Sequence, residues 1–431
     1  MKIRQTHTAW PPNAEQEYER VKPIGNGAYG KVWIAKRKRS AQQNSVENIP
    51  GHEEELVAIK VISTSGRNGQ AYADREVSIL REMDHPYVVN LIKTYDDESR
   101  RSQTVVMPLA HGPSLHSILE RGGALGLPLS RLVSRHLITA VSYLHSRAIL
   151  HRDIKPQNLI LHMPEYSPWE YKGIMWGDDD EASEAIKESG WKIVLVDLGF
   201  ARALTKYEIE TNQILGNNNK PRECLIDDLG EGCLSQSMTS RVLLRSMSAL
   251  GSRVYAAPEV IRARKVAESS ATCLTEFSAD YTFLCDEYAC GKTLLEVLSG
   301  VPASERDVNE YVKQERLAAY FSGHRDKKRY RLLHEIPRGA MNLIRDLTRP
   351  SANDRITCWV AQLYPWIGGE KVEDDTFEVP IVESVSYRPG DGIVPLGCEF
   401  SRTSVQTNKG AVENKTTVWN LVDETTKIQV V

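Results

Sequence analysis

The octet His151-Arg152-Asp153-Ile154-Lys155-Pro156-Gln157-Asn158 constrains this chain more than any other stretch, because it sets an acid, a base and an amide at fixed spacing behind a hydrophobic segment. Asp153 is placed to receive a proton from an attacking hydroxyl, Lys155 to neutralise charge on a phosphate in transfer, and Asn158 to offer a metal its amide oxygen. The chemistry these three share is phosphoryl transfer. Read alone, the octet also fits a charged surface turn after an amphipathic helix, so its flanks decide.

Downstream, Lys192-Ile193-Val194-Leu195-Val196-Asp197-Leu198-Gly199 is an apolar, strand-like run that ends in an acid and a glycine. A carboxylate there suits a hard cation such as Mg²⁺, and with Asn158 it makes two oxygen donors. Upstream, Ile24-Gly25-Asn26-Gly27-Ala28-Tyr29-Gly30-Lys31-Val32 is a glycine-rich loop whose backbone amides can close over phosphates. A dinucleotide-binding fingerprint has the same letters but opens a helix. Here Val32 and Ile34 continue as strand, so the loop is the turn of a β-hairpin. Next come Val57-Ala58-Ile59-Lys60, a strand bearing one lysine, and Arg75-Glu76-Val77-Ser78-Ile79-Leu80 with helical apolar spacing. Lys60 would hold the α- and β-phosphates, and Glu76 would hold Lys60. Taken singly, each is equally a snorkelling lysine or a solvated helix acid.

In this order the pieces resemble the eukaryotic-type protein kinase family, over residues 18–367. The resemblance implies an α+β, two-lobed fold with a small, mostly β N-lobe (18–109) and a larger, mostly α C-lobe (110–367). It implies ATP and Mg²⁺ as cofactors, with Lys60, Glu76, Asp153 and Lys155 in catalysis and Asn158 and Asp197 on metal. The nucleotide would lie against residues 24–32, Ala58, Lys60, Met107, Leu109 and Ala110, with Met107 gating the pocket behind the adenine. Pro108 has no N–H to offer the base, so its neighbours must. Glu259, in Ala257-Pro258-Glu259, matches the end of an activation segment and Arg355 its pairing arginine; Asp286 matches the acid that braces the catalytic loop. Lys155 together with Ser252 resembles the serine/threonine-specific pattern, and Leu198 stands where phenylalanine is commoner. No catalytic position is missing. A nucleotide-binding scaffold of pseudokinase type and a kinase of small metabolites are the competing readings.

The remaining 1–17 form an N-terminal extension and 368–431, too poor in apolar residues for a core of their own, a flexible tail. Polar insertions are expected at 36–55 and 163–191, the second exposed and partly disordered around Asp178-Asp179-Asp180-Glu181. The activation segment, 197–259, is unusually long. Within it the resemblance implies a phosphate on Ser248 that Arg152 would meet. A net charge of −3 implies no nucleic-acid or membrane field, so protein substrates are the expected partners; the oligomeric state is open. Seven cysteines without metal-ligand spacing fit reduced thiols. With no signal peptide and no apolar run of spanning length, a cytoplasmic or nuclear location is expected.

Overall fold

The computed structural model describes residues 10–27, 30–38, 55–65, 69–164, 172–204, 254–261, 283–302, 330–331, 335–368, 399–404 and 417–422. Two compact units divide the chain, 1–381 and 382–431. The first opens with helix α1 (Pro12–Glu17) and a five-stranded antiparallel sheet in the order β1-β2-β3-β5-β4. Its strands are β1 (Tyr18–Gly27), β2 (Gly30–Arg37), β3 (Leu56–Ser63), β4 (Lys93–Asp97) and β5 (Ser102–Pro108). Helix α2 (Gly69–Glu82) sits between β3 and β4.

The sheet's two faces follow from alternation along β3. Ala58 and Ile62 join one core with Val105 and Met107 of β5 and Ala73, Val77 and Leu80 of α2. Val57, Ile59 and Val61 point the other way, into a second cluster with Val106, Tyr95, Tyr18, Ala35 and Trp10. The expected N-terminal extension is therefore in part a strap on the sheet's outer face. Trp10 is fully buried there, with the Arg20 guanidinium 4.7 Å from its ring. Glu17 pairs with Lys93 at 2.7 Å, and the Arg100 guanidinium donates to the Trp10 carbonyl. A lone tryptophan eight residues before the first strand gave no periodic signal, so the sequence alone could not place it.

The helical lobe contains α3 (Leu115–Gly122), α4 (Leu127–Ser146), strands β6 (Ile149–Leu150), β7 (Leu159–His162), β8 (Lys192–Leu195) and β9 (Arg202–Ala203), and helices α5 (Lys172–Trp176) and α6 (Asp180–Glu188). Among the described residues, helices α7 (Leu284–Ser299), α8 (Arg338–Leu347), α9 (Cys358–Ala361) and α10 (Pro365–Gly368) follow. Leu129, Val133, Leu137, Val141 and Leu144 form the buried stripe of α4, the helix expected ahead of the octet at 151–158. Every residue of α7 from Cys285 to Ser299 is buried. Gly291 lets α8 approach it, since a Cβ there would meet Thr348 Cγ2 at 2.5 Å. The closing Trp366 donates its indole N–H to Ser134 Oγ of α4 at 2.9 Å.

The insertion at 163–191 differs from expectation where it is described. Asp179 caps α6 by accepting from Ala182 N at 2.8 Å, which turns Ala182 and Ile186 inward. Asp178 accepts from Leu127 N at 2.6 Å and takes Arg331 in a two-oxygen pair at 2.9 and 2.8 Å. Met175 and Trp191 are buried in the main core. The acidic run is exposed, as expected, but it caps and docks a helix where a partly disordered loop was expected. The second unit holds β10 (Glu399–Ser404) paired antiparallel with β11 (Thr417–Val422), in a stretch expected to lack regular structure. No helix among the described residues is long and apolar enough to cross a membrane.

Candidate active site

The glycine-rich loop is the expected hairpin turn: β1 and β2 pair up to Gly27 and Gly30, while Ala28 and Tyr29 lie outside the described residues. Gly30 has no alternative, because a Cβ there would lie 1.8 Å from the Val61 carbonyl oxygen on β3. Ile24, Gly25 and Lys31 are exposed at this edge and Val32 is half-buried. Asn26 and Gly27 contribute described backbone. Ala58 pairs with Met107 across β3 and β5; Leu109 and Ala110 follow, packed against the core. The strand thus ends at Pro108, as expected of a hinge.

Lys60 is brought to its partners by the inward face of β3. Its Nζ lies 2.7 Å from Glu76 Oε1, on the buried face of α2, and 2.8 Å from Asp197 Oδ1. Burial favours the neutral amine, but the two carboxylates override it and hold the Lys60 pKa above the ordinary value. Burial likewise opposes charge on Asp197, and the Lys60 ammonium outweighs it, so that carboxyl sits below its usual range. The Lys60–Glu76 pair is as expected. Its third member, Asp197, was foreseen only as a metal ligand.

The octet folds as a loop between β6 and β7. Lys155 Nζ lies 2.7 Å from Asp153 Oδ2, and Asn158 Nδ2 donates to the Asp153 carbonyl at 2.8 Å and to its Oδ2 at 3.0 Å. The acid, the base and the amide therefore interlock. Committing the Asn158 NH₂ to Asp153 leaves its amide oxygen as the donor for a cation. The β7–β8 ladder, with Leu159 opposite Leu195, continues into Val196 N donating to Asn158 O at 2.9 Å, which sets Asp197 beside this loop. Asn158 and Asp197 thus offer amide and carboxylate oxygens only, a set that fits Mg²⁺. Among the described residues no cluster of three or more His, Cys, Asp or Glu could hold a metal ion.

Two residues here, Arg152 (φ 66°) and Asp197 (φ 63°), hold left-handed backbone that side chains disfavour. Surrounding bonds enforce it. Asp286, buried at the start of α7, accepts from His151 N at 2.7 Å and Arg152 N at 2.8 Å, the expected brace. Arg355 pairs with Glu259 through two contacts, at 2.8 and 3.2 Å, also as expected. Leu198 is buried in the core, as its place beside Asp197 allows. Arg152 Nε donates to the Phe200 carbonyl at 2.8 Å. Ser248 and Ser252 lie outside the described residues. Missed entirely were His145, at the end of α4, and Glu287, next to Asp286. His145 touches the brace and Glu287 touches His145, and neither had a signal separating it from ordinary helix-end polarity.

The pattern that defines the protein kinase domain matches residues 18–367. The chain belongs to the protein kinase family. Among similar kinases, serine/threonine-protein kinase 36 of Pongo abelii is 30% identical over 203 residues, 47% of this chain, which spans 12% of that protein's length. Testis-specific serine/threonine-protein kinase 4 of Homo sapiens is 23% identical over 376 residues, covering 86% of this chain and 88% of that one. A crystal structure of Rad53 1-466 in complex with AMP-PNP aligns with a TM-score of 0.47 and 21% identity, over 82% of this chain and 66% of that one.

Proposed function

We propose that this kinase transfers the γ-phosphoryl group of ATP to serine or threonine hydroxyls of protein substrates. The observation that carries the reading is the interlocked set Asp153, Lys155 and Asn158 at 2.7–3.0 Å, beside Lys60 with its two carboxylates. Asp153 takes the proton of the attacking hydroxyl; the new O–P bond forms as the bond to the β-phosphate oxygen breaks, and ADP leaves. Lys155 offsets charge on the phosphoryl group in transit, and Lys60 orients the phosphates behind it. Mg²⁺, held by Asn158 and Asp197, would neutralise phosphate charge when bound. The serine/threonine preference rests on Lys155, on Ser252 and on the names of the relatives.

The test is a radiolabelled ATP assay on a generic protein substrate, followed by phosphoamino-acid analysis. Phosphoserine or phosphothreonine is expected, with kcat falling about a hundredfold or more in Asp153→Asn while ATP binding stays near wild type. Binding without turnover in the wild type would return the scaffold reading.

Control through the activation segment belongs to the same proposal. A phosphate on Ser248 would bring close to two negative charges within reach of guanidinium groups such as Arg152. Ser248→Ala should then lower activity to the level of phosphatase-treated enzyme. Full activity without phosphate at Ser248, established by mass spectrometry, would rule the switch out.

A further inference from the structure

His145 ends α4 against the first turn of α7, and both of its ring nitrogens are used. Nε2 lies 3.1 Å from Asp286 Oδ2, and Nδ1 lies 3.1 Å from Glu287 Oε1. Both carboxylates are buried, Glu287 completely and Asp286 to 1% exposure. Two adjacent anions out of water are tolerated only with a cation between them, and an imidazole facing a carboxylate on each side can satisfy both only by donating from both nitrogens. Asp286 spends its oxygens a second time on the backbone N–H groups of His151 and Arg152. A continuous line therefore runs from Glu287 through His145 and Asp286 to the residue that precedes the catalytic base.

We propose that Glu287 is a positioning residue for phosphoryl transfer: by pairing with His145 it keeps a charged imidazolium against Asp286, which holds the left-handed turn at Arg152 and so places Asp153. This rests on the kinase reading above.

The electrostatics agree with the geometry. Burial alone would drive His145 neutral, but Glu287 and Asp286 hold its pKa well above the ordinary value. Burial opposes charge on Asp286 too, and His145 outweighs it, keeping that carboxyl low. Among the described residues, the other charged or titratable groups that face this cluster are Cys285 and Cys290 on α7, His151 and Arg152 in the catalytic loop, Cys358 at the start of α9, and the Glu259–Arg355 pair. The Phe283 ring lies 4.8 Å from the imidazole. Because the folded His145 pKa is raised, its contribution is fully present below the unfolded value of about 6.5 and is lost as pH rises through the folded value. Removing the charge of Glu287 lowers that folded value and brings the loss toward neutral pH.

Glu287 also accepts from Cys358 N at 3.2 Å, which gives it a plain structural role as well. That role is independent of pH, so the pH profile separates the two. In Glu287→Gln, kcat at saturating ATP and substrate should fall about tenfold or more between pH 6 and 8, over which the wild type holds, while KM for ATP stays within about twofold. In the unaltered protein, the ¹⁵N shifts of His145 should show an imidazolium at pH 7.5, with a midpoint that coincides with the alkaline limb of kcat. A neutral His145 at pH 7.5 overturns the proposal, as does a folded Glu287→Gln enzyme with a wild-type pH profile. If Glu287→Gln fails to fold, coincidence of the wild-type midpoint and limb supports the proposal and their separation overturns it. Absence of any wild-type turnover on protein substrates would instead sink the kinase reading, while the His145 shifts would still report the charge state.

Discussion

The two halves of the active site are held by different means. In the small lobe, Lys60 is fixed by side-chain ion pairs to Glu76 on α2 and Asp197 beyond β8, so its position depends on where three separate elements sit. In the large lobe, the turn ahead of Asp153 is fixed by backbone N–H groups donating to one buried carboxylate, Asp286. Side-chain pairing can be made and unmade by shifting a helix. Backbone pinning to a residue in a helix buried from Cys285 to Ser299 cannot, short of disrupting the core. The small-lobe half is thus suited to adjustment and the large-lobe half to permanence.

The sharpest break in this comparison is Lys60→Met. It should reduce kcat about a hundredfold or more, because a phosphate-orienting cation acts on charge that develops in the transition state. Steady-state kinetics at saturating ATP and metal check it, and retention of more than a tenth of wild-type turnover would remove the small-lobe half from the chemistry. Asp286→Asn should appear first in stability. It leaves the His145 imidazolium short of one partner in a buried site, at a cost of about 3–5 kcal/mol, read from urea unfolding. A loss below about 1 kcal/mol would mean that the pin is not structural. The smallest effect is expected for Asp179→Ala, which removes the cap of α6 away from the site: about 1 kcal/mol of stability and unchanged kcat. A fall in kcat there would show that the large lobe transmits strain to the loop after all.

The site's arrangement was legible because its residue types recur at short spacing in a fixed order: Asp153, Lys155 and Asn158 within one octet, Asp197 and Gly199 at a strand end. Strand alternation and helix spacing then placed Lys60 and Glu76 on inward faces. What stayed hidden depends on partners far along the chain. Asp178 reads as solvated acid until Arg331 and Leu127 N are beside it, and Asp179 until Ala182 turns into a helix. Trp10 is a lone aromatic until the outer face of β3 requires a cover. His145 and Glu287 become a pair only when α4 and α7 are packed.

The bonds that hold the site differ widely in the length of chain they close. Lys60 meets Glu76 across 16 positions and Asn158 meets Asp153 across 5, but Lys60 meets Asp197 across 137, His151 meets Asp286 across 135, and Arg355 meets Glu259 across 96. Contacts of such separation form only after much loop entropy has been lost, so they belong to late stages of folding. A polypeptide growing from its N-terminus has synthesised Lys60, Asp153 and Asp197 well before Asp286 and Arg355 exist to secure them. On the proposed mechanism the residues that would touch the phosphoryl group are then present in the unfinished chain, yet the turn before Asp153 lacks the carboxylate that holds it. The alignment of the proposed site therefore arrives with the last third of the domain, and a truncated product carrying Lys60, Asp153 and Asp197 lacks the Asp286 and Arg355 braces.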